Sequence, residues 1–432
     1  MIKRFSAVQI AMLLTGSIFI IGAVTIIVVA NNNNANNNNA DDPNPPSTAG
    51  WEPFSTPISA PLVDGPTIMD SMFLDNSTFN DPIGHWDVSQ VTNMVSTFEN
   101  AIAFDQPIGN WTVSAVTDMS RMFFGATAFN QPIGNWDVSS VTSMFTMFWH
   151  ATSFDQPIGD WDVSGVTTMA GMFHNAIAFN QPIGDWNVGK VTTTQWMFRD
   201  ASAFNQPIGG WDMRQVTDMT NMFRSSAFNQ PISDWDVSSV TAMGGMFRDA
   251  LSFNQPIGDW NVSSVTNMVM MFYNAQAFNQ PLNDWDVSQV TSMMQMFWHA
   301  TSFNQPIGDW DVSAVTNTVG MFRSSPFNQP ISDWNVSGVT DMAWMFHSAS
   351  AFNQPIGGCD VSKVRTMAHM FRDASAFDQD LSASNVSSVT NVNLMFSNSG
   401  MSEINLNRTI DSWMEQWAKR NSALPTGVGS LR

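Results

Sequence analysis

The sequence holds a single cysteine, Cys359, in 432 residues, so no intramolecular disulfide can form. Small secreted domains need such cross-links because their cores are small; a long repetitive chain buries enough core without them. Basic residues are scarce as well: 16 Lys and Arg stand against 36 Asp and Glu, a net charge of −20. Nucleic acid is held through its phosphates by Lys and Arg, so this balance argues against a nucleic-acid partner. It fits a self-repelling soluble surface that attracts cations or basic proteins. Charged residues make up only 12% of the chain, so the solvent side is built mainly from Asn, Gln, Ser, Thr and Asp. Catalytic constellations are missing too. The six histidines, His85, His150, His174, His299, His347 and His369, are scattered. Paired-Cys and His-x-x-x-His metal spacings are absent, as is a Gly-rich phosphate loop after a strand. The expectation is a protein that is not an enzyme, with no cofactor.

What is present is a repeat. Trp86, Trp111, Trp136, Trp161, Trp186, Trp211, Trp235, Trp260, Trp285, Trp310 and Trp334 step by 25 residues, except for two steps of 24. Cys359 and Ser384 take the same place in the last two copies. Cys359 therefore reads as a small buried hydrophobe and not as a nucleophile. A fixed period of this size marks a solenoid or propeller, whose units bury their apolar faces only by stacking. The unit is legible at Phe303-Asn304-Gln305-Pro306-Ile307-Gly308-Asp309-Trp310-Asp311-Val312-Ser313-Ala314-Val315-Thr316, closed by Met321-Phe322. Trp260 and Val262 are two apart, with Asp259 and Asn261 facing the other way, which predicts a short half-buried parallel strand. Met268, Met271, Phe272 and Ala275 fall at i, i+3, i+4 and i+7, which predicts one or two helical turns with Thr266 as N-cap. The expected fold class is thus α/β, a leucine-rich-repeat-like solenoid of about thirteen 25-residue repeats, each a short parallel strand plus a short helix.

Lys3 and Arg4 precede an uncharged apolar run from Val8 to Ala30, long enough to cross a bilayer. Residues 1–30 read as a signal anchor, with a cleaved signal peptide as the alternative. Membrane attachment would run through residues 8–30, with the repeats extracellular; on the alternative the chain is secreted. Residues 31–50, rich in Asn, are a disordered spacer. Residues 51–396 form the solenoid with an N-terminal cap in which Ile68, Met72 and Phe73 mimic half a repeat, and 397–432 form a C-terminal capping helix and tail. In that tail Ile410, Trp413, Met414 and Trp417 lie at helical spacing.

The Phe-Asn-Gln-Pro-Ile-Gly-x-Trp-Asp-Val-Ser-x-Val-Thr-x-Met-x-x-Met-Phe unit resembles the BspA-like leucine-rich-repeat surface proteins and the related mycoplasma lipoprotein repeats. The match runs over about residues 65 to 396. The resemblance implies a cell-surface solenoid, sometimes adhesive, without catalysis. The chain departs from the lipoprotein pattern because no Cys follows the apolar run.

Two columns are candidate surfaces. One is acidic: Asp162, Asp236, Asp286 and Asp311 follow the repeat Trp and would line one face with carboxylates. Such a face suits Ca²⁺, which takes several oxygen ligands, or is a solvated face that guards a sheet against aggregation. The other follows Met-Phe: Phe124, Trp149, His174, Arg199, Tyr273, Trp298 and Arg323 are its chosen members. Aromatics and Arg are enriched at binding hot spots; the bland alternative is filler between neighbouring helices. Sequons stand at Asn76, Asn110, Asn261, Asn335, Asn385 and Asn407, as glycosylation candidates or as simple exchanges of Asn for Asp. The function expected is adhesion or recognition of a protein or glycan through the solenoid surface; the alternative is a structural cell coat or a divalent-cation binder.

Overall fold

A computed structural model describes residues 68–420 and 423–431 of the chain. The segments expected to be signal anchor (1–30) and spacer (31–50) lie outside the described residues. No helix among the described residues is long and apolar enough to cross a membrane.

The chain is a stack of coils, but the coils are not α/β units, and this corrects the expected fold class. Among the described residues the only regular elements are one α-helix, α1 (Glu403–Ala418), and one 3₁₀ turn (Val428–Ser430). The coils meet through isolated parallel bridges, each one residue wide, running from Asn93↔Asp118 to Asn391↔Thr426. No strand spans Trp260 and Val262. The amide of Trp260 donates to the Ile257 carbonyl at 3.2 Å and that of Val265 to Val262 at 2.9 Å, so the segment is two successive turns. Both side chains point inward, as their spacing of two predicts, yet no ladder of strand hydrogen bonds forms.

The segment expected to be helical is a chain of overlapping turns. Its amides alternate in their use. Those of Met268, Met270, Phe272 and Asn274 donate to carbonyls of the next coil, Ser292, Met294, Met296 and Trp298, at 2.6–3.4 Å. Those of Met271, Tyr273 and Ala275 donate three residues back within the coil, at 3.0–3.2 Å. Met270 (φ 57°) and Asn274 (φ 55°) adopt the left-handed conformation, which breaks any α-helix and reverses the chain at each turn. The same two positions are left-handed in every coil, from Ser71 and Asp75 to Leu394 and Asn398. Thr266 is not an N-cap: its hydroxyl donates to the Thr241 carbonyl of the preceding coil at 3.2 Å. With the Val269 amide donating to Asn267 Oδ1 at 3.0 Å, every amide from Met268 to Ala275 is paired without helix or sheet, as burial requires.

Packing repeats with the backbone. Phe272 stacks on Phe278 within its coil at 4.1 Å between ring centres, and on Phe297 of the next coil at 5.5 Å. Trp285 and Trp310 stack at 6.4 Å. Each such contact adds about 0.5–1.5 kcal/mol beyond burial. The Trp285 indole N–H donates to the Ile257 carbonyl of the coil before, at 3.0 Å. At the corner, Asn254 Oδ1 accepts the Asn279 amide and the Gln280 side chain, both at 3.0 Å. This ladder explains why Asn-Gln recurs, and why Asp105 and Asp155 can replace Asn: only the acceptor oxygen is used.

The C-terminal residues continue these ladders by other means. Ser402, the N-cap of α1, donates its amide to Asp378 Oδ1 at 2.8 Å, and Asn405 does so through Nδ2 at 2.9 Å. From α1, Trp413 and Trp417 donate to the carbonyls of Leu381 and Val386 at 3.1 and 3.0 Å. The helix thus meets the open polar groups of the last coil with side chains. At the other end Met69, and not Ile68, takes the inward position; Ile68 is 65% exposed.

Candidate functional site

The residue after Met-Phe lies between the two left-handed positions of each coil. It falls 13 residues after the repeat Trp, about half a coil from the Asp that follows that Trp, as Trp149 and Asp137 show against Trp136. The acidic column and this ridge therefore occupy different sides of the coil.

The structure brings the ridge residues together in two contact series, Phe124 to Arg199 and Arg248 to Arg323. Phe124 stacks on Trp149 at 5.5 Å, and Trp149 packs on His174 at 3.9 Å. Trp149 and His174 are only 7% and 4% exposed, so this end of the ridge is interior packing. His174 Nε2 meets Asp200 at 3.2 Å, and Arg199 Nε meets the same carboxylate at 3.3 Å. Burial, Arg199 and His150 hold the His174 pKa below its ordinary value against the opposing pull of Asp200. Further along, Arg248 lies over Tyr273 at 5.0 Å, Tyr273 meets Trp298 at 5.3 Å, and Arg323 lies over Trp298 at 4.0 Å. Arg199, Tyr273, Trp298 and Arg323 are half-buried, with part of each side chain reaching solvent.

Sequence reasoning missed a second column at the first left-handed position. It supplies Arg121, Trp196, Trp344 and His369, with φ between 58° and 63°. Trp344 flanks Arg323 at 4.7 Å and stacks on His369 at 4.0 Å; Arg121 covers Phe124 at 4.3 Å and pairs with Glu99. The signal was weak: Arg121, Trp196, Trp344 and His369 share the column with Ser96, Thr146, Asn221, Met270 and Leu394, and the position before it varies as freely.

The acidic column is arranged differently. Asp162, Asp286 and Asp311 each accept the amide of the Ser two residues on, at 3.0 Å. Asp236 accepts both the amide and the hydroxyl of Ser238, at 3.1 and 2.6 Å. The Ser hydroxyl and then the Ser amide hold the carboxyls of Asp162, Asp236 and Asp311 below their ordinary pKa. Each is exposed and serves its own turn. Among the described residues no group of three or more His, Cys, Asp or Glu is placed to hold a metal ion. Asn261, Asn335 and Asn385 play the same turn role: Asn261 accepts from the Ser263 hydroxyl at 2.7 Å. All six sequon asparagines are exposed, with Asn407 on α1.

The family model described as Mycoplasma protein of unknown function, DUF285, matches in four places, residues 50–151, 131–227, 208–309 and 299–413. The chain belongs to that family, a class of tandem-repeat proteins. The mycoplasma part of the sequence resemblance is thereby supported; the comparisons do not carry the BspA-like name. No curated protein matches. Among solved structures, the functional domain of InlJ from Listeria monocytogenes, whose title notes a cysteine ladder, is 8% identical over 62% of this chain and 68% of that one, with a TM-score of 0.14. A likeness that low carries no argument.

Proposed function

We propose that this chain is a non-enzymatic surface protein whose coil array recognises a protein or glycan through the ridge, with attachment to the membrane through residues 8–30. The single observation that carries the reading is the composition of the ridge. In an array whose core positions barely change, the column after Met-Phe exchanges Arg with Trp, Tyr and His, and Arg199, Tyr273, Trp298 and Arg323 each keep part of the side chain at solvent. Core packing does not ask for guanidinium groups beside indoles; binding surfaces use both. Many weak contacts along a repeating surface add up to useful avidity.

The test is binding of the full-length protein to a panel of cell surfaces, matrix proteins and polysaccharides, with and without Ca²⁺. Saturable binding that weakens in the Trp298→Ala variant supports the reading. Trp149 is not a suitable probe, since it is buried. Binding that needs Ca²⁺ and the Asp column would favour the alternative of a coat or cation-binding protein. A tagged full-length protein found only in the cytosol would end the surface assignment.

A further inference from the structure

Five ridge positions carry Arg, and they divide into two kinds. Arg199, Arg248 and Arg372 are each followed by Asp, whose carboxylate lies 3.3 Å from the guanidinium Nε. Arg224 and Arg323 are followed by Ser225 and Ser324, and among the described residues neither forms an ion pair. The Nε atoms of all five are buried without a hydrogen-bond partner, so the carboxylate alone separates the two kinds. These are the two coils shortened to 24 residues, where the chain reads Met-Phe-Arg-Ser-Ser both times. The same local change, made twice, removed the neutralising carboxylate twice.

The surroundings sharpen the contrast. Arg224 is partly buried and flanked by Arg248 and Arg199, and burial followed by their repulsion brings its pKa down to about 10, so it still carries its charge at neutral pH. Arg323 is held between Trp298 at 4.0 Å and Trp344 at 4.7 Å. Between the two unpaired cations stand Arg248, Tyr273 and Trp298, in contact with one another through Tyr273. Four coil steps separate Arg224 from Arg323. At about 4.8 Å per step of a hydrogen-bonded stack, that is roughly 19 Å.

We infer that this strip binds a linear anionic polysaccharide, with carboxylate or sulfate groups on Arg224 and Arg323 and sugar rings against the solvent-facing edges of Tyr273 and Trp298. The inference rests on the recognition reading above and names its ligand class. An unpaired, partly desolvated guanidinium gains most from a bidentate anion. The apolar C–H groups of a sugar ring pack against the part of an aromatic side chain that reaches solvent. A stiff chain with sparse, evenly spaced charge suits two cations set far apart on a rigid stack, and loses less entropy on docking than an acidic peptide does. The net charge of −20 weakens the approach of any polyanion. That charge acts over a screening length of about 8 Å at physiological salt, which leaves short-range contacts on the ridge intact.

The experiment uses the full-length protein, with polygalacturonate, dextran sulfate, uncharged dextran and poly-glutamate as probes in titration calorimetry at physiological salt. The expected result is binding of polygalacturonate or dextran sulfate but not of dextran or poly-glutamate. Affinity should fall at least about tenfold in the R224Q/R323Q double variant and less than about threefold in R199Q, whose cation is already paired. R224K/R323K keeps the charge and should retain part of the affinity. Unchanged thermal unfolding of each variant confirms its folding. Equal loss in R199Q, no loss in the double variant, or preference for poly-glutamate would overturn the inference. Binding of a neutral glycan or a protein through Trp298, with no anion dependence, would overturn it while leaving the recognition reading in place. Absence of any binding partner across both panels would remove both.

Discussion

In the middle of the array Trp285 and Trp310 stack at 6.4 Å, and each indole hydrogen-bonds the coil before it. Near the C-terminal end the same position holds Cys359 and then Ser384, and an apolar cavity of about 40 Å³ opens there, lined by Trp334, Phe346, Phe371 and Trp413 among others. Burial of the thiol pushes the Cys359 pKa up, as for a packing residue. The backbone ladder is unbroken through both regions: Asp341, Thr366 and Asn391 bridge in turn as Asn267, Ser292 and Asn317 do. The difference separates two roles. Hydrogen bonds between coils set the architecture, whereas the Trp column sets how tightly each coil is filled. Trp413 of α1 bonds the Leu381 carbonyl as the Trp of one further coil would, so the array is closed by an indole although the positions of Cys359 and Ser384 lack one.

The sharpest way to break this comparison is to make the middle resemble the end. Trp260→Ala should destabilise the array by about 3–5 kcal/mol through the cavity and the lost indole bond, whereas Cys359→Ala should cost under about 1 kcal/mol. Denaturant unfolding followed by hydrogen exchange on individual coils checks both, because openings in repeat arrays are local. Equal losses would mean that the column is not what fills the coils. The next effect is at the corner. Asn254→Ala removes the acceptor for the Asn279 amide and the Gln280 side chain. It should cost about 1–3 kcal/mol by leaving donors unpaired. Asn254→Asp should be near neutral, since Asp155 already fills this role toward Asn180 and Gln181.

The inward residues were legible in the sequence because stacking repeats each buried position at a fixed step. The backbone that carries them was not. Met268, Met271, Phe272 and Ala275 have helical spacing, yet two overlapping turns with a left-handed residue between them return side chains inward at the same intervals. Gly marks a left-handed position in Gly125, Gly171, Gly245 and Gly320, but elsewhere Met, Trp, His and Asp fill it and hide the signal. A left-handed residue outside Gly or Asn is uncommon, so a sequence reading favours the helix. The ridge column itself was legible, because Trp149, Tyr273 and Arg323 vary directly after a Met-Phe pair that does not. That Trp149 is interior while Trp298 reaches solvent depends on Trp196 and His174 packing around the former at 6.2 and 3.9 Å, which no single column records.

Filling the end is the reverse experiment. Cys359→Trp places an indole in the register of Trp334, whose N–H reaches the Ile307 carbonyl at 3.0 Å. The cavity of about 40 Å³, at roughly 24 cal/mol per Å³, sets an expected gain of about 1 kcal/mol. A rise in melting temperature checks it; a fall would mean that the end coils are shaped around the smaller residue.

The smallest effect expected concerns acid. His347 lies in the end region, facing Arg323, Arg372, His369 and Asp373; burial, with the nearby cations, lowers its pKa from 6.5 to about 4. Between those values the unfolded chain binds a proton that the folded chain refuses. Stability from this group is therefore full above 6.5, falls as pH drops toward about 4, and is level below that. His369, one coil further on, is shifted in the same direction by burial and then by Arg372 and Arg323, so the end region should open before the coils near Trp260 on mild acidification. Hydrogen exchange from neutral pH down to about 4 should show coils near His347 losing protection before those near Trp260, and His347→Gln should reduce the difference. If the middle coils lose protection first, acid sensitivity is set by the carboxylates of the Asp turns and not by the histidines beside Arg323.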